Sequence, residues 1–181
     1  MVKHMNKRTK NRITEVDAYH FIRQNLKDVG WNVRNPARFA DGQVYTQNEC
    51  LSHPEIQRYL GLERPENIVK ISETVYWVIE AKTDRHKIER AVSEAEGYAE
   101  KINNSKNIKV AFISGVAGND ADSYVIQTRY LANGKFKPLT INSKPVSALL
   151  SPEIVRLAIE SNGDIKDVPI DEGLERVLQK E

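Results

Sequence analysis

The sequence predicts an α/β fold, a mixed sheet sandwiched between helices around a β-β-α-β core. Three observations carry that expectation. Two short apolar runs, Ile68 to Ile71 and Val75 to Ile79, are separated only by Ser72-Glu73-Thr74, which is long enough for a turn and nothing else. Downstream, the stretch 85–102 places Ile88, Ala91, Ala95, Ala99 and Ile102 on one helical face and Glu and Lys on the others. A further apolar run, Lys109 to Ser114, then supplies a third strand. With 181 residues, 40% of them hydrophobic, the chain suits a single domain with a sizeable core.

In chain order, Thr14 is placed to cap an opening helix, with Glu15 and Asp17 in its first turn. Ala18, Ile22, Leu26 and Val29 recur at helical spacing until Gly30. Trp31 and Val33 lead into a long polar connection, 35–50, broken by Pro36 and Asp41-Gly42. Ser52, Pro54 and Glu55 start a short helix carrying Ile56, Tyr59 and Leu60, which Gly61 ends. After the hairpin, the helix and the third strand, 115–120 reads as a loop and Tyr124 to Tyr130 as a fourth strand. That strand turns at Asn133-Gly134 into Lys135 to Leu139. Ser151-Pro152-Glu153 caps a last helix through Glu160. The division expected is a basic tail over 1–13, one domain over 14–163, and a polar tail over 164–181 that buries little and reads as a linker to a further domain.

Composition excludes several classes. No apolar run approaches the ~20 residues of a membrane span, and MVKHMNKRTKNR lacks the apolar core of a secretory signal, so a cytoplasmic protein with no membrane partner is expected. Cys50 is the one cysteine, which rules out an internal disulfide, and the histidines at 4, 20, 53 and 86 show no zinc-site spacing. The net charge of +2 is no general nucleic-acid footprint. Lys3, Lys7, Arg8, Lys10 and Arg12 nonetheless form a basic arm, either a solvated tail or one that lies along a phosphate backbone. No phosphate-binding G-x-x-x-x-G-K-[ST] loop, dinucleotide fingerprint or nucleophile elbow is present.

The chemistry concentrates in RPENIVKISETVYWVIEAK, 64–82. A turn centred on Glu73 pairs 71 with 75, 69 with 77 and 66 with 80, so Glu66 faces Glu80. Directly opposed carboxylates repel unless something positive lies between them. Alternation along the strand then sets Lys82 on the same face as Glu80 and turns Ala81 away. Two readings of this cluster stand side by side: a divalent-cation site, and a surface ion-pair network to which Arg64 contributes by pairing with Glu66. Acid-x-Lys alone is weak, because it recurs at Asp164-Ile165-Lys166 in a polar stretch with no strand expected around it. Glu15 doubles as an ordinary first-turn helix acid, and Tyr98 as a core-edge aromatic.

Pro65-Glu66, then Glu80-Ala81-Lys82, then Glu94-x-x-x-Tyr98 on the following helix resemble the PD-(D/E)XK nuclease superfamily. TEVDAYHFIRQNLKDVGW is similar to the opening helix of the N-terminal nuclease domains of type I restriction subunits and fused restriction-modification enzymes, and TQNECLSHPEIQRYLGLERPENIVK, EAEGYAEKI, FISGVAGND and LLSPEIV are similar to those fused enzymes. The likeness runs from about Thr14 to Asp171. It implies a restriction-endonuclease-like β-β-α-β sandwich and a metal-dependent DNA endonuclease. Glu66, Glu80 and the Ala81 carbonyl would hold Mg2+, with Mn2+ as a substitute. Lys82 would orient and help deprotonate the attacking water, and Glu15, Glu94 and Tyr98 would be accessory. The implied partners are double-stranded DNA, a methyltransferase and specificity region in the same protein, and a second copy during cleavage of both strands. The sequence departs from the family pattern at Glu66, where Asp is usual, and at Glu94, where many relatives carry Gln. These departures put in question either metal preference or cutting efficiency.

Overall fold

The computed structural model describes residues 16–167. Thr14, Glu15, the basic arm and the weak helical run around Leu174 lie outside the described residues. The opening helix α1 covers residues 16–28, followed by β1 (Val44–Thr46), α2 (Pro54–Leu60), β2 (Asn67–Lys70), β3 (Val75–Lys82), α3 (Ile88–Ile102), β4 (Lys109–Asn119), β5 (Ser123–Ala132) and β6 (Lys135–Pro138). Two short strands, β7 (Thr140–Ile141) and β8 (Lys144–Pro145), precede α4 (Pro152–Glu160) and β9 (Asp164–Ile165).

Strands β1 to β6 form one mixed sheet in sequence order, and β8-β7-β9 form a second, three-stranded one. β1, β2 and β3 run antiparallel, while β4 returns through α3 to lie parallel to β3. β5 and β6 complete the sheet antiparallel. Period-2 alternation sorts the side chains of the large sheet into two cores. Val69, Trp77, Ile79, Phe112 and Val116 face α1 and α4, where Ile22, Leu26, Ile154 and Val155 cover them. Ile68, Tyr76, Val78 and Ile113 face α2 and α3, under Ile56, Leu60, Val92, Ala95 and Ala99.

Local chemistry explains the elements. His53 caps α2: its Nδ1 accepts from the Ile56 N–H at 3.4 Å, and Pro54 follows at the first helical position. Its Nε2 lies 3.0 Å from the Tyr76 hydroxyl, which donates to the Glu73 carbonyl at 3.2 Å, so the helix start is tied to the hairpin turn. Ser151 caps α4 by accepting from the Ile154 N–H at 3.2 Å. Asn133 and Gly134 both take positive φ, 52° and 80°, as a two-residue hairpin turn requires.

Three expectations are corrected. The polar connection 35–50 contains a strand, β1, which pairs with β2. Residues 115–119 belong to β4, because tertiary packing requires the two glycines that make the segment look like a loop. A Cβ at Gly115 would stand 2.7 Å from Val92 Cγ2 and 2.8 Å from Val92 N, and Gly118 has φ +139° against the Ser123 carbonyl. Asp164-Ile165 is not strandless, since it pairs in parallel with Thr140-Ile141 and buries Ile165 in the α1/α4 core. The cap of α2 is His53, while the Ser52 hydroxyl donates to the Glu49 carbonyl.

Candidate active site

The site is built where β2 begins and β3 ends. The hairpin is in the expected register: Val69 pairs with Trp77, Ile68 with Val78 and Asn67 with Ile79. Just before β2, Glu66 adjoins the Asn67–Ile79 pair, and its N–H reaches Glu80 Oε2 at 3.3 Å. Glu80 shares the α3-side face with Val78 of the same strand, and the Glu66 charge acts on it. Glu80 is 7% exposed, a buried carboxylate in a layer of apolar side chains.

Burial pushes the Glu80 carboxyl up to about 7; the Lys82 ammonium and the Ala81 N–H oppose that shift, and the Glu66 and Glu94 carboxylates add to it. Lys82, two residues on, points along the same face, and its Nζ lies 2.5 Å from Glu94 Oε2 on α3. Arg90 Nε holds the other oxygen of Glu94 at 3.0 Å. Burial works to raise the Glu94 carboxyl, but the Lys82 and Arg90 hydrogen bonds and charges outweigh it and leave the group below the ordinary range. Tyr98, one turn further along α3, is pushed up to about 12 by burial, then by the charges of Glu80 and Glu94.

The structure therefore brings Glu66, Glu80, Lys82, Glu94 and Tyr98 into one electrostatic neighbourhood. Ala81 pairs with Val116 of β4 and turns its methyl to the opposite core. Arg64 does not take Glu66 as its ion-pair partner: its Nη1 donates to Asn48 Oδ1 at 2.9 Å, because β2 begins only at Asn67 and the segment before it runs beside the loop after β1. Lys109 opens β4 and borders, with Lys106, a cavity of about 470 Å³ beside the Thr74 turn, at the other end of β3 from Lys82.

Two residues of this region escape a reading of the sequence alone. Arg90 fixes Glu94 from one turn before it, a spacing visible in the sequence as Arg-x-x-x-Glu. Asn67, 2% exposed, donates from Nδ2 to the Tyr45 carbonyl at 3.2 Å, while its Oδ1 has no hydrogen-bond partner among the described residues. The only sequence signal for it is a polar residue at the head of an apolar strand.

Hard oxygen donors and an excess of negative charge around Glu66 and Glu80 suit Mg2+ or Mn2+. The set is spare. Among the described residues, no group of three or more His, Cys, Asp or Glu side chains gathers at metal-binding distance. Two carboxylates would need backbone or solvent oxygens to complete a shell. Comparison with protein-family models, with curated proteins and with solved structures returns no match. Within the described residues the chain is a helix-flanked α/β protein with a six-stranded mixed sheet and a three-stranded one, and no helix is long and apolar enough to cross a membrane.

Proposed function

We propose that this chain carries a metal-dependent DNA endonuclease domain of the PD-(D/E)XK type, a restriction module that hydrolyses phosphodiester bonds. One observation carries the reading: Glu66, just before β2, sets its N–H against the carboxylate of a buried Glu80 on β3, and Lys82 follows on the same strand two residues on. The topology supports it, with an antiparallel β1-β2-β3 meander, a crossing helix and a parallel β4. In this reading Glu66, Glu80 and the Ala81 carbonyl would hold Mg2+, which would supply Lewis-acid stabilisation of the phosphate and the leaving oxygen. Lys82, steadied by Glu94, directs an ammonium toward the phosphate and orients the attacking water. Glu80 presents its carboxylate from a dry strand, so its charge is little screened there. Double-stranded DNA is the substrate, a methyltransferase and specificity region the partner, and a pair of such domains the unit that cuts both strands.

A second reading, a nuclease-like module that positions DNA without cutting, is favoured by one contact: Lys82 is already engaged by Glu94 at 2.5 Å. The two separate in a pair of assays. Calorimetric titration with Mg2+ or Mn2+ should show binding that Glu66→Gln and Glu80→Gln abolish. Nicking of supercoiled plasmid should fall by about 10²- to 10⁴-fold in Lys82→Ala, the range of a lost positioned catalytic group. Metal binding that ignores both acids sinks the enzyme, and DNA affinity without any nicking selects the positioning module.

A further inference from the structure

The mouth of the site is crowded with negative charge, although its proposed substrate is a polyanion. Glu63, Glu66, Glu80 and Glu94 all lie on the segments that border it, and the nearby cations are largely committed to acids. Lys82 and Arg90 both bind Glu94, and Lys101 binds Glu63. Arg64 differs from these. It is exposed, lies two residues before Glu66, and makes no ion pair among the described residues; its Nη1 donates to the neutral Asn48 amide oxygen at 2.9 Å. That bond orients a guanidinium without cancelling its charge, and most of the five donors of the fork stay available. The segment that carries it is itself anchored, because the Lys101–Glu63 pair ties it to α3. Lys82 is held by Glu94 of α3, whereas Arg64 is held by Asn48 of the loop after β1, so the two cations take different partners beside the carboxylate pair.

We propose that Arg64, oriented by Asn48, grips the phosphodiester backbone of DNA on the β1 side of the Glu66–Glu80 pair, next to the linkage to be cut. The inference rests on the nuclease reading. A guanidinium suits this task because its planar fork matches two phosphate oxygens at once, which an ammonium cannot do.

The test is fluorescence anisotropy of a labelled duplex across a KCl series, with Ca2+ replacing Mg2+ to prevent cutting. Arg64→Gln should weaken binding about tenfold and reduce the slope of log affinity against log salt by about 0.9, one phosphate contact. Arg64→Lys should restore most of the slope and only part of the affinity, and Asn48→Ala should lose affinity with the slope kept. Lys106→Gln, at the far end of the sheet, should change neither. Melting temperature and Mg2+ titration should match the wild type in Arg64→Gln, since the side chain is exposed. An Arg64→Gln protein with unchanged slope and affinity overturns the inference and leaves the nuclease reading standing. A wild-type protein that binds no duplex at any salt concentration removes both.

Discussion

The two faces of β3 bury polar groups in opposite ways. On the α1/α4 face, Trp77 Nε1 donates to Ser114 Oγ at 2.9 Å; Ser114 lies 2.7 Å from Thr128 Oγ1, which donates to the Ala148 carbonyl at 3.2 Å. Every member is neutral and paired, which is how a dry interior accommodates polar atoms. On the α3 face, Glu80 is almost as deeply buried, yet it faces two further carboxylates and one ammonium that is shared with Glu94. The first arrangement holds the sheet together. The second opposes folding, and such a site persists where charge has a task to perform.

If that contrast is right, truncation on the neutral face should do the most damage. Trp77→Ala removes a fully buried ring and should destabilise by about 3–5 kcal/mol, measured by urea unfolding, with no selective effect on metal affinity in the protein that remains folded. A loss below 1 kcal/mol would mean that this face is not the stabilising one.

Glu80→Gln should act in the opposite direction. Below the unfolded carboxyl's value both states are protonated and no penalty exists. As pH rises from about 4.5 toward about 7, the unfolded chain releases its proton while folded Glu80 retains it, so wild-type stability falls and then levels off. Metal-free Glu80→Gln should therefore be the more stable protein at pH 8, by up to about 3 kcal/mol, with the gap closing toward pH 4. Added Mg2+ should stabilise the wild type and leave the variant unmoved. A variant less stable than wild type at pH 8 without metal would break the comparison.

Ser114→Ala gives the smallest change. It strands the Trp77 N–H in the core and should destabilise by about 1–3 kcal/mol, the penalty of an unmade buried hydrogen bond. Because the group is neutral, the loss should be flat with pH, in contrast to the sloping gain at Glu80. A pH-dependent loss would show that the two faces are coupled.

Much of this arrangement is legible in the sequence, since short-range rules decide it. A three-residue turn leaves one symmetric pairing, and that pairing alone puts residue 66 across from residue 80. The helical spacing from Ile88 to Ile102 identifies the buried face of α3, apart from Val92. What escapes is decided at long range. β1 has three residues and no alternation to announce it, and it exists because β2 offers an open edge. The glycines of 115–119 signal a loop to any local rule, whereas here they serve a strand against which α3 and β5 press. β9 is two residues long and depends on β7, which is equally short. Arg64 turns toward Asn48 because β2 starts only at Asn67, so the pairing does not continue as far as residue 64.

Gly115 has one more consequence. It pairs with Glu80 in β4, and the backbone of α3 sits directly above it. Helix and sheet thus meet at a hinge pin with no washer: a single methyl there would act as a shim, lifting the helix that carries Glu94 away from the strand that carries Lys82. The reach between those two side chains is thereby set by an atom that is missing, one strand away from Lys82 and directly beneath the helix that carries Glu94.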